Sequence, residues 1–119
     1  MIALPSSNYA LEILVDAAVA TNQLPFVLSY MNQNQNGNQT LSLAEGQTNS
    51  TTPVTMTVPA VPERHHVKLF FVHNADTATR IVTVRLNNNG TTRIISRQTL
   101  LTLESLYWSE GAGWQITGP

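Results

Sequence analysis

Residues 79–98 read TRIVTVRLNNNGTTRIISRQ, and this stretch decides the fold class. Val82, Val84 and Leu86 fall on one side of an extended chain, with Thr83 and Arg85 on the other. That is the period of two of a half-buried strand. Asn89-Gly90 follows. Both residues tolerate the positive φ that a two-residue type I′ turn demands, so the pair predicts a hairpin. Residues 93–98 (RIISRQ) return as the second arm.

The neighbouring segments extend the pattern in both directions. Residues 64–74 (RHHVKLFFVHN) are apolar on both faces, as in a central strand. Residues 99–105 and 106–110 continue the meander, and GWQIT at 113–117 closes it across the loop Ser109–Gly113. Upstream, Val54, Met56 and Val58 alternate with Thr55 and Thr57, and Pro59 and Pro62 end that strand. Phe26, Leu28 and Tyr30 share a face of residues 24–32. Residues 8–20 (NYALEILVDAAVA) are the one helix candidate, but they alternate more like a strand. These last two segments are expected to be neighbouring strands joined around Thr21–Gln23. Between them and the proline-bounded strand lies an amide-rich run. It predicts an exposed polar excursion over about 32–52, with a short edge strand at Thr40–Leu43. The expectation is one domain over 1–119. It is an all-β, antiparallel, jelly-roll-like β-sandwich of about eight strands with one long polar loop.

Composition narrows the function classes. With 119 residues the chain can bury a core without staples, and with no cysteine it has no disulfide or thiolate metal site. No apolar run approaches the ~18 residues of a membrane helix. The first twenty residues carry no Lys or Arg and so lack the basic region of a signal peptide. A soluble protein made in a cytoplasm is expected. Only 11% of residues are charged, against about 25% in ordinary domains. A surface of Asn, Gln, Ser and Thr suits either a monomer kept soluble by amides and hydroxyls or a protein packed into an assembly.

The few charges are segregated. Residues 1–63 hold Glu12, Asp16, Glu45 and Glu63 and no base, a charge of −4. Residues 64–119 hold all six Lys and Arg and three acids, a charge of +3. Pairing between the halves, or a molecular dipole, follows. Nucleic-acid binding is not expected, because the net charge is −1 and the bases are not interleaved with aromatics.

Chemistry-bearing groups are sparse. His65 and His66 are adjacent, so a strand turns them to opposite faces, and His66 and His73, seven apart, alternate likewise. Neither pair suits a metal. Glu104 and Glu110 are a thin candidate for paired carboxylates. Phosphate-loop, HExxH, GxSxG and dinucleotide motifs are absent, and SEGAG sits in a hairpin rather than before a helix. The Asn-rich turns lack the carboxylates of a calcium loop. No catalytic residue, metal or cofactor is expected.

The aromatics near the C-terminus remain. On alternating strands Trp108 shares a face with Leu106, and Trp114 and Ile116 join it across the hairpin, while Tyr107 points away. Core packing, a subunit interface and a carbohydrate or receptor site are the three readings of these rings.

From Arg64 to Gln115 the chain resembles a family of small tailed-bacteriophage virion proteins. The shared positions include Val67, Lys68, Asn74, Val82, Thr83, Val84, Gly90, Thr91, Thr99, Leu100, Glu104, Leu106, Gly111, Gly113 and Trp114. Thr102-Leu103 replaces an Ala-Gly of the family pattern, Trp108 a Tyr, and Glu110 an Asp. The resemblance implies a non-enzymatic structural protein of the virion, made in the bacterial host cytoplasm. Its expected place is the outer capsid surface, as a decoration or cement protein. A tail, neck or fibre component, or a host-glycan-binding module, is the alternative. The implied partners are the phage major capsid protein and copies of the chain itself, in a homo-oligomer such as a trimer, or else tail proteins. Neither nucleic acid nor membrane is implied. The candidate interface residues are Tyr107, Arg85, Arg93, Arg97, Asn34, Asn36 and Asn38. Trp108, Trp114, Gly90, Gly111 and Gly113 are assigned to core and turns.

Overall fold

A computed structural model describes residues 2–119. It contains ten strands: β1 (Ile2–Leu4), β2 (Tyr9–Val15), β3 (Pro25–Gln33), β4 (Gln39–Gln47), β5 (Val54–Thr57), β6 (Arg64–His73), β7 (Arg80–Asn88), β8 (Thr91–Leu100), β9 (Ser105–Ser109) and β10 (Gly113–Thr117). They form two antiparallel sheets. The larger runs β10-β9-β6-β3-β4, with β1 also paired to β6, and the smaller runs β5-β2-β7-β8. The β-sandwich read from the sequence is the observed class, with ten strands rather than eight. Six of the nine connections cross between the sheets, and the other three are hairpins.

The deciding hairpin forms as its residues require. β7 and β8 flank Asn89 at φ 51° and Gly90 at φ 93°, the two positive values of a type I′ turn. Val82 and Val84 are fully buried. They pair with Val15 and Ile13 of β2 and belong to one core with Leu11 and, from the other sheet, Phe26, Leu28, Phe70 and Val72. Burying such a side chain stabilises the fold by about 1.5–3 kcal/mol. β6 is the central strand expected. β3 covers one of its edges, and β1 and β9 share the other, at residues 65–67 and 69–73.

Three expectations change. β2 and β3 are not neighbours but lie in opposite sheets, and residues 16–24 cross between them. Which strands pair is a non-local property that an alternating pattern does not carry. The segment read as a polar excursion over 32–52 is folded, with Thr48 buried: β3 runs to Gln33, and β4 pairs with it over nine residues, well beyond Thr40–Leu43. Asn34 builds the intervening turn, its Oδ1 accepting from the N–H groups of Asn36 and Asn38 at 2.9 and 3.0 Å. Finally, the strand read over 99–105 is broken at residues 101–104. β8 stops at Leu100, and Leu103 turns the chain at φ 67°, a region that disfavours Leu.

Gly46 of β4 lies opposite Phe26. A Cβ built there falls 2.9 Å from the Phe26 ring, which is buried in the core. Substituting Gly46→Val is expected to destabilise the protein by about 1–3 kcal/mol, the usual cost of overpacking. Urea unfolding of the two proteins measures it; an unchanged midpoint would mean that the ring does not rest on this glycine.

Candidate interaction surface

β-Bulges decide which side chains reach which surface. In the β3–β6 pairing, Ser29 faces Leu69 and Tyr30 faces Val67, so Lys68 has no partner. The extra residue shifts the alternation by one. His66 and His73 therefore lie on the same, outer face, not on opposite faces. Seven residues, about 23 Å of strand, separate them. His73 Nδ1 is 2.9 Å from Ser105 Oγ, and His65 on the inner side is 2.8 Å from Thr57 Oγ1. Burial lowers the pKa of His65, with Glu63 opposing. Among the described residues no three His, Cys, Asp or Glu side chains converge. Glu104 and Glu110 sit at opposite ends of β9. Glu104 accepts from the Leu101 N–H at 2.7 Å, and Glu110 pairs with Lys68 at 2.8 Å.

The same bulge makes the outer face of the six-stranded sheet apolar. Register places Val27 beside Phe71 and Tyr107, Leu43 beside Ser29 and Leu69, and Leu41 beside Met31. Leu41 is 68% exposed, Leu43 66% and Phe71 36%; Val27, Met31, Leu69 and Tyr107 are half-buried. Besides the Tyr107 phenol, Glu45 and His66 are the ionisable groups in these rows, and Lys68, at the bulge between Leu69 and His66, is paired with Glu110. Sequence reasoning found only Tyr107 here. The signal was available in the two-sided apolarity of β6, but its extension to Leu41 and Leu43 required knowing that β4 is a strand.

The remaining interface candidates do not join Tyr107. Arg85 donates to Glu12 at 2.9 Å, a pair that Asn87 extends at 3.0 Å to the other carboxylate oxygen. It is the one ion pair between the two halves of the sequence among the described residues; Lys68–Glu110 and Arg80–Asp76 lie within the second half. Arg93 and Arg97 are exposed on β8, but a bulge at Ile95 turns them to opposite sides: Arg93 faces Leu86 and Arg97 faces Thr83. Asn34 is engaged in its turn, with Asn36 and Asn38 at the hairpin tip.

The aromatic hairpin packs inward. Trp108 is buried, opposite Trp114 and against it with ring centroids 6.2 Å apart, and Phe70 meets Trp114 edge-on at 6.0 Å. Gly111 at φ 97° and Gly113 at φ 77° make the turn between β9 and β10. Ile116 stays partly exposed beside a small cleft shared with Gln98, Trp114 and Gln115.

A buried polar cluster escaped the sequence reading. The Asp76 carboxylate accepts from the N–H groups of Ala20, Thr21 and Asn22 at 2.9, 2.8 and 3.2 Å, and from Arg80 Nε at 2.8 Å. Burial opposes its charge, but these donors prevail and hold its pKa far below the usual carboxylate range. Beside it, Asn74 donates to the carbonyls of Ala78, Leu100 and Leu101. Its only sequence signal is the run HNADTATR, which reads as an ordinary loop.

No protein-family model, curated protein or solved structure matches the chain.

The packing of Trp108 gives a direct test. Trp108→Ala is expected to cost about 3–5 kcal/mol in denaturant unfolding. A fully stable variant would return the indole to a binding role. Asp76 gives a pH test. Its folded pKa lies below the ordinary 3.8, so its stabilisation is complete above that value and is lost as pH falls below it. Asp76→Asn is therefore expected to lower stability at pH 7 and to reduce the loss of stability between about pH 5 and pH 2. Equal acid slopes for the two proteins would rule this out.

Proposed function

We propose that the chain is a structural protein of a tailed-bacteriophage particle, and that it decorates the outer surface of the capsid shell. The observation that carries this reading is the apolar outer face of the six-stranded sheet, which has no covering layer among the described residues. An exposed patch of this kind on a sheet is suited to another protein surface. The resemblance over residues 64–115 supplies the kind of particle.

Docking would use ordinary physical chemistry. The area around Leu43, Leu69 and Phe71 gains hydrophobic free energy when a shell subunit covers it. Few charges lie in these rows, so little is lost to desolvation. A domain bound across adjoining major capsid subunits adds contacts that must break before the shell opens. That raises the kinetic barrier to opening without any chemical step. The burial of Trp108 favours this reading over a glycan-binding one, since that indole is packed against Trp114 inside the sandwich.

Imaging of intact particles with a label on this chain tests the proposal. Signal over the capsid surface is expected; signal confined to the tail would make the chain a tail component. On the capsid, Phe71→Asp is expected to weaken binding to shells at least about tenfold, which corresponds to about 1.4 kcal/mol. Its melting temperature, measured in parallel, separates lost docking from lost folding.

A further inference from the structure

The edges of the two sheets are not treated alike. A free edge exposes unpaired N–H and C=O groups, and proteins usually blunt it with charges, proline, bulges or brevity. β5 has four residues and lies between Pro53 and Pro59. β10 has five residues and β1 three. β8 is long but carries Arg93 and Arg97 and the bulge at Ile95. Of these devices β4 has only a single charge. It runs nine residues in unbroken register with β3, contains no proline, and carries one charge, Glu45.

Its sequence is also complementary to itself. In an antiparallel pair of β4 strands centred on Ser42, Leu41 of each copy faces Leu43 of the other. Glu45 faces Gln39, so no like charges oppose. The two Glu45 side chains stand about six residues apart along the pair, about 20 Å. Shifting the centre to Leu43 would set Leu41 against Glu45 twice. Pairing about Ser42 instead gathers four leucines on one face, and side chains keep their face because the strand period is two.

We infer that two copies of this chain pair through β4, antiparallel about Ser42, to form one continuous sheet across a twofold axis. Such an interface is isologous and closes at two copies. The β4 edge is a strip about 30 Å long and about 10 Å thick, roughly 300 Å². That is less than the ~800 Å² per partner of a standard stable interface. The pair is therefore reversible and concentration-dependent. It also joins the two apolar outer faces into one.

This inference deepens the assembly reading and rests on it only for its purpose. A chain that pairs through β4 but is missing from capsids retires the capsid assignment alone. A chain found on capsids whose β4 does not pair retires the pairing alone.

Sedimentation of the purified full chain over a range of concentrations is the first measurement. A monomer–dimer equilibrium is expected; a monomer throughout, or a closed trimer, overturns the inference. The second uses single cysteines in this cysteine-free chain. Ser42→Cys places the two thiols directly opposite, with Cβ atoms about 4.5–5.5 Å apart, and is expected to give a disulfide-linked dimer on mild oxidation. Thr40→Cys leaves its thiols about four residues out of step, about 14 Å apart, and is expected to stay monomeric. Equal cross-linking of both overturns the register. Leu41→Lys and Leu43→Glu test it without oxidation. Each protein alone is expected to lose the dimer while keeping its circular dichroism. Mixed, they set the introduced ammonium of one copy against the introduced carboxylate of the other and are expected to dimerise again. Failure of the mixture to do so overturns the pairing.

Discussion

The Asp76 carboxylate is the interaction on which the arrangement of the two sheets depends. Residues 16–24 carry the chain from β2 in one sheet to β3 in the other, and residues 74–79 carry it from β6 back to β7. Asp76 binds the first crossing to the second through three backbone N–H groups. Asn74 then ties the second crossing to the end of β8. Neighbouring backbone bonds complete the closure: Leu103 N–H donates to Asn74 O, and Asn74 N–H donates to Glu104 O, both at 2.8 Å. Three chain crossings at one end of the sandwich thus meet on two nearby polar side chains. Buried charge is tolerated here because the first crossing supplies three backbone N–H groups and Arg80, at the start of β7, supplies a guanidinium partner.

What the sequence makes legible follows from the range of each interaction. The β7–β8 hairpin is local, and Val82, Val84, Asn89 and Gly90 declare it within a single short stretch. The inward rings of Trp108 and Trp114 are equally local, set by alternation across one turn. The separation of β2 and β3 is not local, because it depends on β7 lying between β2 and β8. Asp76 is illegible for the same reason, since its backbone donors lie 54–56 residues away. Bulges have a different effect. Lys68 and Ile95 each look like ordinary strand residues, yet each shifts the side-chain alternation by one. That reverses the expected placement of His66 and His73, and it parts Arg93 from Arg97.

β4 shows why the candidate surface was only partly visible. An edge strand with one buried face usually reveals itself by alternating apolar residues. In β4 the two leucines point outward and the inward positions are Ser42 and Ala44. Its pattern is thus inverted, and its amide-rich flanks read as loop. The hydrophobic residues that mark it belong to the surface and not to the core.

That inversion links fold to function. A bulge at Lys68 brings Leu69 and Phe71 to the outer face, and β3 places Val27 and Met31 beside them. β4 then extends the same face to the sheet edge with Leu41 and Leu43. The surface is apolar because the strand adding to it offers its apolar residues outward, away from a core already filled by Phe26, Leu28 and Phe70. An isolated domain gains nothing from this arrangement, since exposed leucines on an open edge favour uncontrolled association. The blunting of β1, β5, β8 and β10 confines that association to a single strand, so an otherwise hazardous edge becomes directional.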